Sequence, residues 1–178
     1  ILWLKKPYFN RLIIVLLSII TLQSAILINK WEIQNQEEWI VFNLKRKTLI
    51  VQRYGNEASL YTNDSIDIKN KTLNSYLIGN FTHITQRKKI SHTAYFKGNK
   101  ILILDSLSTF PKNIKPDIVL LTQSPKINID RMLLEIKPKI IIADGSNYEY
   151  ILKQWEASCK KQKIPFHATA EKGFYKLN

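Results

Sequence analysis

The imidazoles are the scarcest side chains able to do chemistry: His83, His92 and His167 are the three histidines among 178 residues. None stands at HxH, HxxxH or HExxH spacing from another, so no single strand or helix face presents two of them to a metal. A centre built from all three would need the fold to gather three distant segments. Cys159 is the one thiol, which leaves no disulfide framework and no cysteine-based metal site, and suits a domain on either side of a membrane. The five glycines form no GxGxxG, GxxxxGKS/T or GxSxG pattern, so neither a phosphate-cradling loop nor a nucleophile elbow is expected. No cofactor is implied.

Two carboxylates sit where α/β enzymes place functional groups. Asp105 ends the apolar run Ile101–Leu104, and Asp144 ends Ile140–Ala143. They could serve a hydrolase with an unrecognised metal, but the plainer role is to cap turns. Asp144-Gly145-Ser146 is a good strand-to-helix turn, with Gly145 supplying a conformation other residues resist. The densest basic cluster is Gln86-Arg87-Lys88-Lys89, with Tyr95 and Phe96 nearby. Charge beside aromatic rings can hold single-stranded nucleic acid, which makes Arg87, Lys88 and Lys89 the candidate nucleic-acid residues. The competing reading of so short a run is a solvated loop.

The elements that position these groups begin with a membrane segment. Leu12–Ile28 carries no charge. As a helix it rises about 26 Å, close to the roughly 30 Å hydrocarbon core. Trp3, Tyr8 and Trp31, with Lys5, Lys6, Arg11 and Lys30, sit where interfacial residues belong. A cleaved signal peptide would share the basic start, but Leu22-Gln23-Ser24-Ala25 is a poor cleavage pattern. Positive charge precedes the span, and Glu32, Glu37 and Glu38 follow it, so the N-terminus is expected in the cytoplasm and the domain on the outer side of the cell membrane. Ser18, Thr21 and Ala25 fall on one helical stripe suited to packing against other transmembrane helices. The first residue is Ile1 rather than Met, which suggests a segment of something longer, or a processed chain.

Beyond residue 31 the patterns are those of a layered α/β domain. Trp39–Leu44, Thr48–Tyr54 and Ala58–Thr62 read as an antiparallel meander, Asn70–Phe81 as a helix with Leu73, Tyr76, Leu77 and Phe81 at helical spacing, and Ile90–Phe96 as a further strand. Ile101–Leu104, Ile118–Leu121 and Ile140–Ala143 are continuous apolar runs suited to strands buried on both faces. An amphipathic helix is expected over Ile129–Ile136. A second spans Ser146–Lys163, opened by a Ser146/Glu149 capping box and burying Ile151, Leu152, Trp155 and Cys159. Phe166–Ala168 and Gly173–Leu177 end the chain as short strands. The expected division is residues 1–31 for the membrane helix and its flanks and 32–178 for the domain.

The net charge is +13, and the four basic residues flanking the apolar segment account for part of it, leaving +9 after residue 30. Such a surplus attracts phosphate backbones or anionic lipid, unless the lysines only reflect a compositional bias that confers solubility.

The run Pro116-Asp117-Ile118-Val119-Leu120-Leu121-Thr122-Gln123-Ser124, the segment Ile136-Lys137-Pro138-Lys139-Ile140-Ile141-Ile142-Ala143-Asp144-Gly145-Ser146-Asn147 and the tail Lys163–Phe174 together resemble the end of ComEC-type competence proteins. The resemblance implies a polytopic DNA-uptake channel ending in a metallo-β-lactamase-like domain, with a membrane helix directly before it. Active members carry an HxHxDH zinc motif, for which nothing stands between Tyr61 and Leu104. Where they carry SHHGS, this chain has Thr122-Gln123-Ser124-Pro125-Lys126. Zinc hydrolysis needs several imidazole and carboxylate ligands around an activated water. The domain is therefore expected to be degenerate and non-catalytic, guiding DNA or scaffolding the channel. The alternative is a single-pass anchored interaction module with no role in DNA uptake.

Overall fold

Apolar side chains at every turn and no internal helix breaker produce one unbroken helix, α1 (Phe9–Gln34), of 26 residues. The computed structural model describes residues 9–63, 70–107 and 114–177, so the expected interfacial positions Trp3, Lys5, Lys6 and Tyr8 lie outside the described residues. The most apolar stretch of α1 has a mean hydropathy of 2.4, and none of it is buried against the rest of the chain. The helix is long and apolar enough to cross a membrane, and so large an exposed apolar surface is untenable in water. Two of its hydroxyls bond within the helix, Ser18 donating to the Val15 carbonyl at 2.7 Å and Thr21 to the Ser18 carbonyl at 2.9 Å, as suits a hydrocarbon environment.

Short β-branched and aromatic segments, followed by continuous apolar runs, then build two five-stranded sheets. In the first, β1 (Glu37–Val41), β2 (Ile50–Tyr54) and β3 (Glu57–Tyr61) form the expected antiparallel meander. Helix α2 (Lys71–Gly79) then carries the chain over to β4 (His83–Lys88), which pairs parallel to β3. The Asn70 side chain caps α2 by accepting from the Thr72 and Leu73 amides. The helix ends before Phe81, which is exposed and left-handed (φ 49°), so Phe81 lies outside the apolar stripe expected to include it.

The second sheet has β5 (Thr93–Phe96) antiparallel at its edge, then β6 (Asn99–Leu104), β7 (Ile118–Leu121), β8 (Ile140–Ala143) and β9 (Phe166–Ala168), all parallel. Helices α3 (Ile129–Ile136) and α4 (Glu149–Lys161) make the crossovers. The short α5 (Thr169–Lys172) leads to β10 (Tyr175–Leu177), which returns to the first sheet beside β1.

Alternate residues sort into three cores. Trp39, Val41 and Ile50 meet Ile101, Ile103, Leu120 and Ile142 between the sheets. Val51, Leu60, Leu73 and Leu77 fill the space under α2, and Leu102, Val119, Met132, Leu133 and Trp155 fill that under α3 and α4. The result is a mixed α/β domain in four layers, helix–sheet–sheet–helix, fed by a long apolar helix.

Candidate functional site

The parallel strands β6, β7 and β8 deliver Asp105, Thr122–Ser124 and Asp144–Asn147 to one end of the second sheet, the end where open parallel sheets place their ligands. Gln123 and Ser124 are both left-handed (φ 56° and 52°), a strained pair that needs fixed partners for its amides. They have them. The Gln123 amide donates to the Ser146 hydroxyl at 2.7 Å, the Ser124 amide to Asn147 Oδ1 at 2.7 Å, and the Ser124 hydroxyl accepts from the Tyr148 amide at 2.9 Å. Asn147 Nδ2 donates to the Leu121 carbonyl at 2.7 Å and to Asp144 Oδ1 at 3.0 Å. Thr48, in the connection between β1 and β2, donates to the Ser146 hydroxyl at 3.2 Å and joins the first sheet to this knot.

Asp144 is fully buried, and its Oδ1 accepts from the Ser146 amide at 3.1 Å and from the Ser146 hydroxyl. It caps its turn, as its spacing suggested. Asp105 likewise accepts from the Leu107 amide at 3.0 Å. Ser146 is not the helix cap expected of it. α4 starts at Glu149 with Tyr148 as N-cap and no side-chain cap bond, because the Ser146 hydroxyl serves Gln123 and Asp144 instead. Gly145 is not in the left-handed region, so the special backbone conformation expected of it is not what selects glycine there; close approach does, since a Cβ would stand 2.5 Å from Asn43 Oδ1 and 2.7 Å from the Leu44 carbonyl.

This knot occupies the segment where the resemblance expects paired histidines. Its hydroxyls and amides do not fit zinc, which takes imidazole, thiolate or carboxylate donors. Among the described residues no three of His, Cys, Asp and Glu are grouped as ligands. The histidines stand apart: His83 opens β4, His92 lies between β4 and β5, and His167 on β9 donates through Nε2 to the Gly173 carbonyl at 3.0 Å and packs edge-on against Tyr175.

Arg87, Lys88 and Lys89 do not form the solvated loop that one reading of the run expects. Arg87 and Lys88 belong to a strand rather than a loop, and all three side chains are exposed. Leu60 pairs with Arg87 and Tyr61 with Lys88. Neighbours in register share a sheet face, so Lys88 shares the inter-sheet side with Tyr61, while Arg87 takes the α2 side. The Lys88 carbonyl accepts from the Thr62 amide at 3.0 Å, and the Ile90 amide donates to Asn63 Oδ1 at 3.0 Å, which pins this edge to β3.

A second polar centre escaped the sequence. Arg53 on β2 is fully buried, and its guanidinium donates in five directions. Nη2 reaches Glu38 Oε1 at 2.7 Å and Gln36 Oε1 at 3.0 Å. Nη1 reaches the carbonyls of Ile33 (3.2 Å) and Gly55 (3.1 Å), and Nε reaches Glu38 Oε2 (3.2 Å). Every donor of the fork is used. Glu38 also accepts from the Tyr76 hydroxyl at 2.8 Å and pairs with Lys176. Burial pushes the Glu38 carboxyl up, but the bonds from Arg53, Lys176 and Tyr76 outweigh it and hold the group below the usual carboxylate range. The same burial, with the Glu38 charge, pushes the Tyr76 phenol well above its ordinary value. This hub ties the end of α1 to β1, β2, α2 and β10. Its signal was available: Arg53 is in phase with buried Val51, and Glu38 with buried Ile40.

No curated protein and no solved structure matches the chain. The family model of the ComEC C-terminal domain matches residues 39–178, from Trp39 in β1 onward. The two-sheet domain carried by α1 therefore belongs to the ComEC C-terminal domain family.

Proposed function

We propose that the chain is the C-terminal part of a competence-type DNA-uptake channel, with α1 as a transmembrane helix of that channel and the α/β domain as a non-cutting surface that guides DNA. The carrying observation is the family match over residues 39–178 directly behind a helix fit to cross a membrane. The four-layer arrangement suits the metallo-β-lactamase likeness. The division at residue 31 falls inside α1, whose last turn, from Ile33 onward, is held by the domain through Arg53.

The non-catalytic reading is supported by the polar knot, where the strand-end hydroxyls and amides bond one another instead of converging on an open reaction centre. The guiding role is supported by β4 and its continuation, where Arg87, Lys88 and Lys89 stand exposed along a sheet edge. The N-terminus is cytoplasmic in this reading, the domain lies on the outer side, and the Ser18–Thr21–Ala25 stripe meets other helices of the channel.

The test is a salt series of DNA binding by the full chain in lipid nanodiscs. Binding should weaken steeply with salt. Arg87→Glu, Lys88→Glu and Lys89→Glu together should lower the slope of log affinity against log salt by about 2 for a single strand. A slope unchanged by the triple variant would remove this edge from the DNA path.

A further inference from the structure

The two sheets meet differently at their two sides. On one side β9 and β10 close the sandwich, with the His167 ring against Tyr175 at 5.1 Å. On the other, the edge strands β4 and β5 leave a slot of about 220 Å³ that reaches inward to Trp39 and Ile50. Tyr61, Ile90, Ala94 and Ile103 complete its apolar walls, while Gln52, Ser91 and Thr93 add polar groups. Gln52 is held in place: its Oε1 accepts from the Tyr61 hydroxyl at 3.2 Å, and its Nε2 donates to the Tyr54 hydroxyl. The slot is smaller than the roughly 300–1,000 Å³ of sites that take whole drug-sized ligands. It suits one flat ring with polar edges.

The chain segment that carries β4 and β5 is one-signed. From residue 68 to residue 104 the sequence contains no Asp or Glu, but carries Lys71, Arg87, Lys88, Lys89, Lys97 and Lys100. Register puts Lys88 on the face of Tyr61, which lines the slot, and Lys89 directly precedes Ile90 of its wall. On β5, the other lip, Tyr95 also lines the slot and is exposed.

We propose that this seam is a single-strand DNA site in which one unstacked base enters the slot beside Tyr61 while adjacent phosphates lie on Lys88 and Lys89. The inference rests on the DNA-guiding reading above and deepens it. Cationic groups along an edge with an aromatic-walled recess beside them are what an unpaired strand requires, since charge holds its backbone and a ring face holds its base. A duplex has its bases stacked and paired, so it could use only the lysines. The seam therefore distinguishes single from double strands without reading sequence.

Fluorescence anisotropy on the full chain, in nanodiscs of uncharged lipid at about 50 mM salt, decides the matter with three probes: a 12-nucleotide oligothymidylate, a 12-unit backbone of the same charge made wholly of abasic sites, and a 12-base-pair duplex. The oligothymidylate should bind about tenfold more tightly than the abasic strand. Ala94→Phe, which fills the slot, should abolish that difference while the melting temperature stays near that of the parent. Lys88→Glu with Lys89→Glu should weaken all three probes. Equal binding of the oligothymidylate and abasic strands by the parent chain, with the lysine variant still weakening both, would overturn the slot and leave the guiding role intact. Duplex binding as tight as single-strand binding would also overturn it. No binding of any probe would overturn the slot and the guiding role together. If Ala94→Phe fails to fold, the abasic comparison needs no variant and still decides.

Discussion

At the residue scale the most consequential feature is a charge pair buried where a strand should be apolar. Arg53 and Glu38 occupy inward-facing positions of β2 and β1, and Arg53 satisfies the Ile33 carbonyl at the end of α1 and the Gln36 side chain just beyond it. Glu38→Gln leaves the Arg53 guanidinium buried without its counter-charge, and is expected to cost about 3–5 kcal/mol, read by thermal melting at neutral pH. The pH dependence has a definite sign. A carboxyl held below its ordinary value contributes stability above its unfolded-state pKa, and that contribution is lost as pH falls through the lower folded value. The melting temperature should therefore drop on acidification below about pH 4, and Glu38→Gln should flatten that limb. Cys159 gives a second residue-level test. Burial pushes its thiol up to about 11, so a maleimide at pH 7.5 should label it only after unfolding.

At the element scale, apolar and alternating patterns were legible and the polar ones were not. β6, β7 and β8 match the three apolar runs residue for residue or nearly so, because strands buried on both faces admit little but Ile, Val, Leu and Ala. β4 was missed as a strand because its side chains are almost all exposed: backbone pairing to β3, with a register shift between Ala58 and Ser59, holds it rather than an apolar face. The cap of α4 was misjudged because a hydroxyl three residues before a glutamate is a cap only when no closer donor claims it, and the left-handed Gln123 amide does. The knot was legible in part, through Asp144; the contacts that demand glycine at 145, and the partners Gln123, Ser124 and Thr48, are brought in by topology. Gly145→Ala would drive a methyl group into the Asn43 side chain and the Leu44 carbonyl, and should cost about 1–3 kcal/mol in a denaturant melt.

At the scale of the whole molecule, the hub and the basic edge share one sheet. The β2–β3 turn lies against the end of α1, with the Gly55 amide donating to the Gln36 carbonyl at 2.9 Å. The row Glu37, Tyr54, Glu57 and His83 is nearest that helix, and the row Val41, Ile50, Tyr61 and Lys88 is farthest. β4 thus runs about 17 Å away from the helix end toward the slot. Under the proposed guiding role, a DNA strand on that edge would run toward the membrane segment. Family membership was legible in the runs around Pro116–Ser124 and Ile136–Asn147, because buried parallel strands and their tight turns tolerate few alternatives. The seam was not, since it joins residues far apart in the chain. The central claim is that the domain holds DNA and does not cut it. The most direct measurement incubates the full chain in nanodiscs with end-labelled single- and double-stranded DNA at low salt, with and without added zinc, and reads retention and strand length together. The account predicts DNA that is retained, released by salt and unchanged in length; shortened strands, or none retained at the lowest salt, would contradict it.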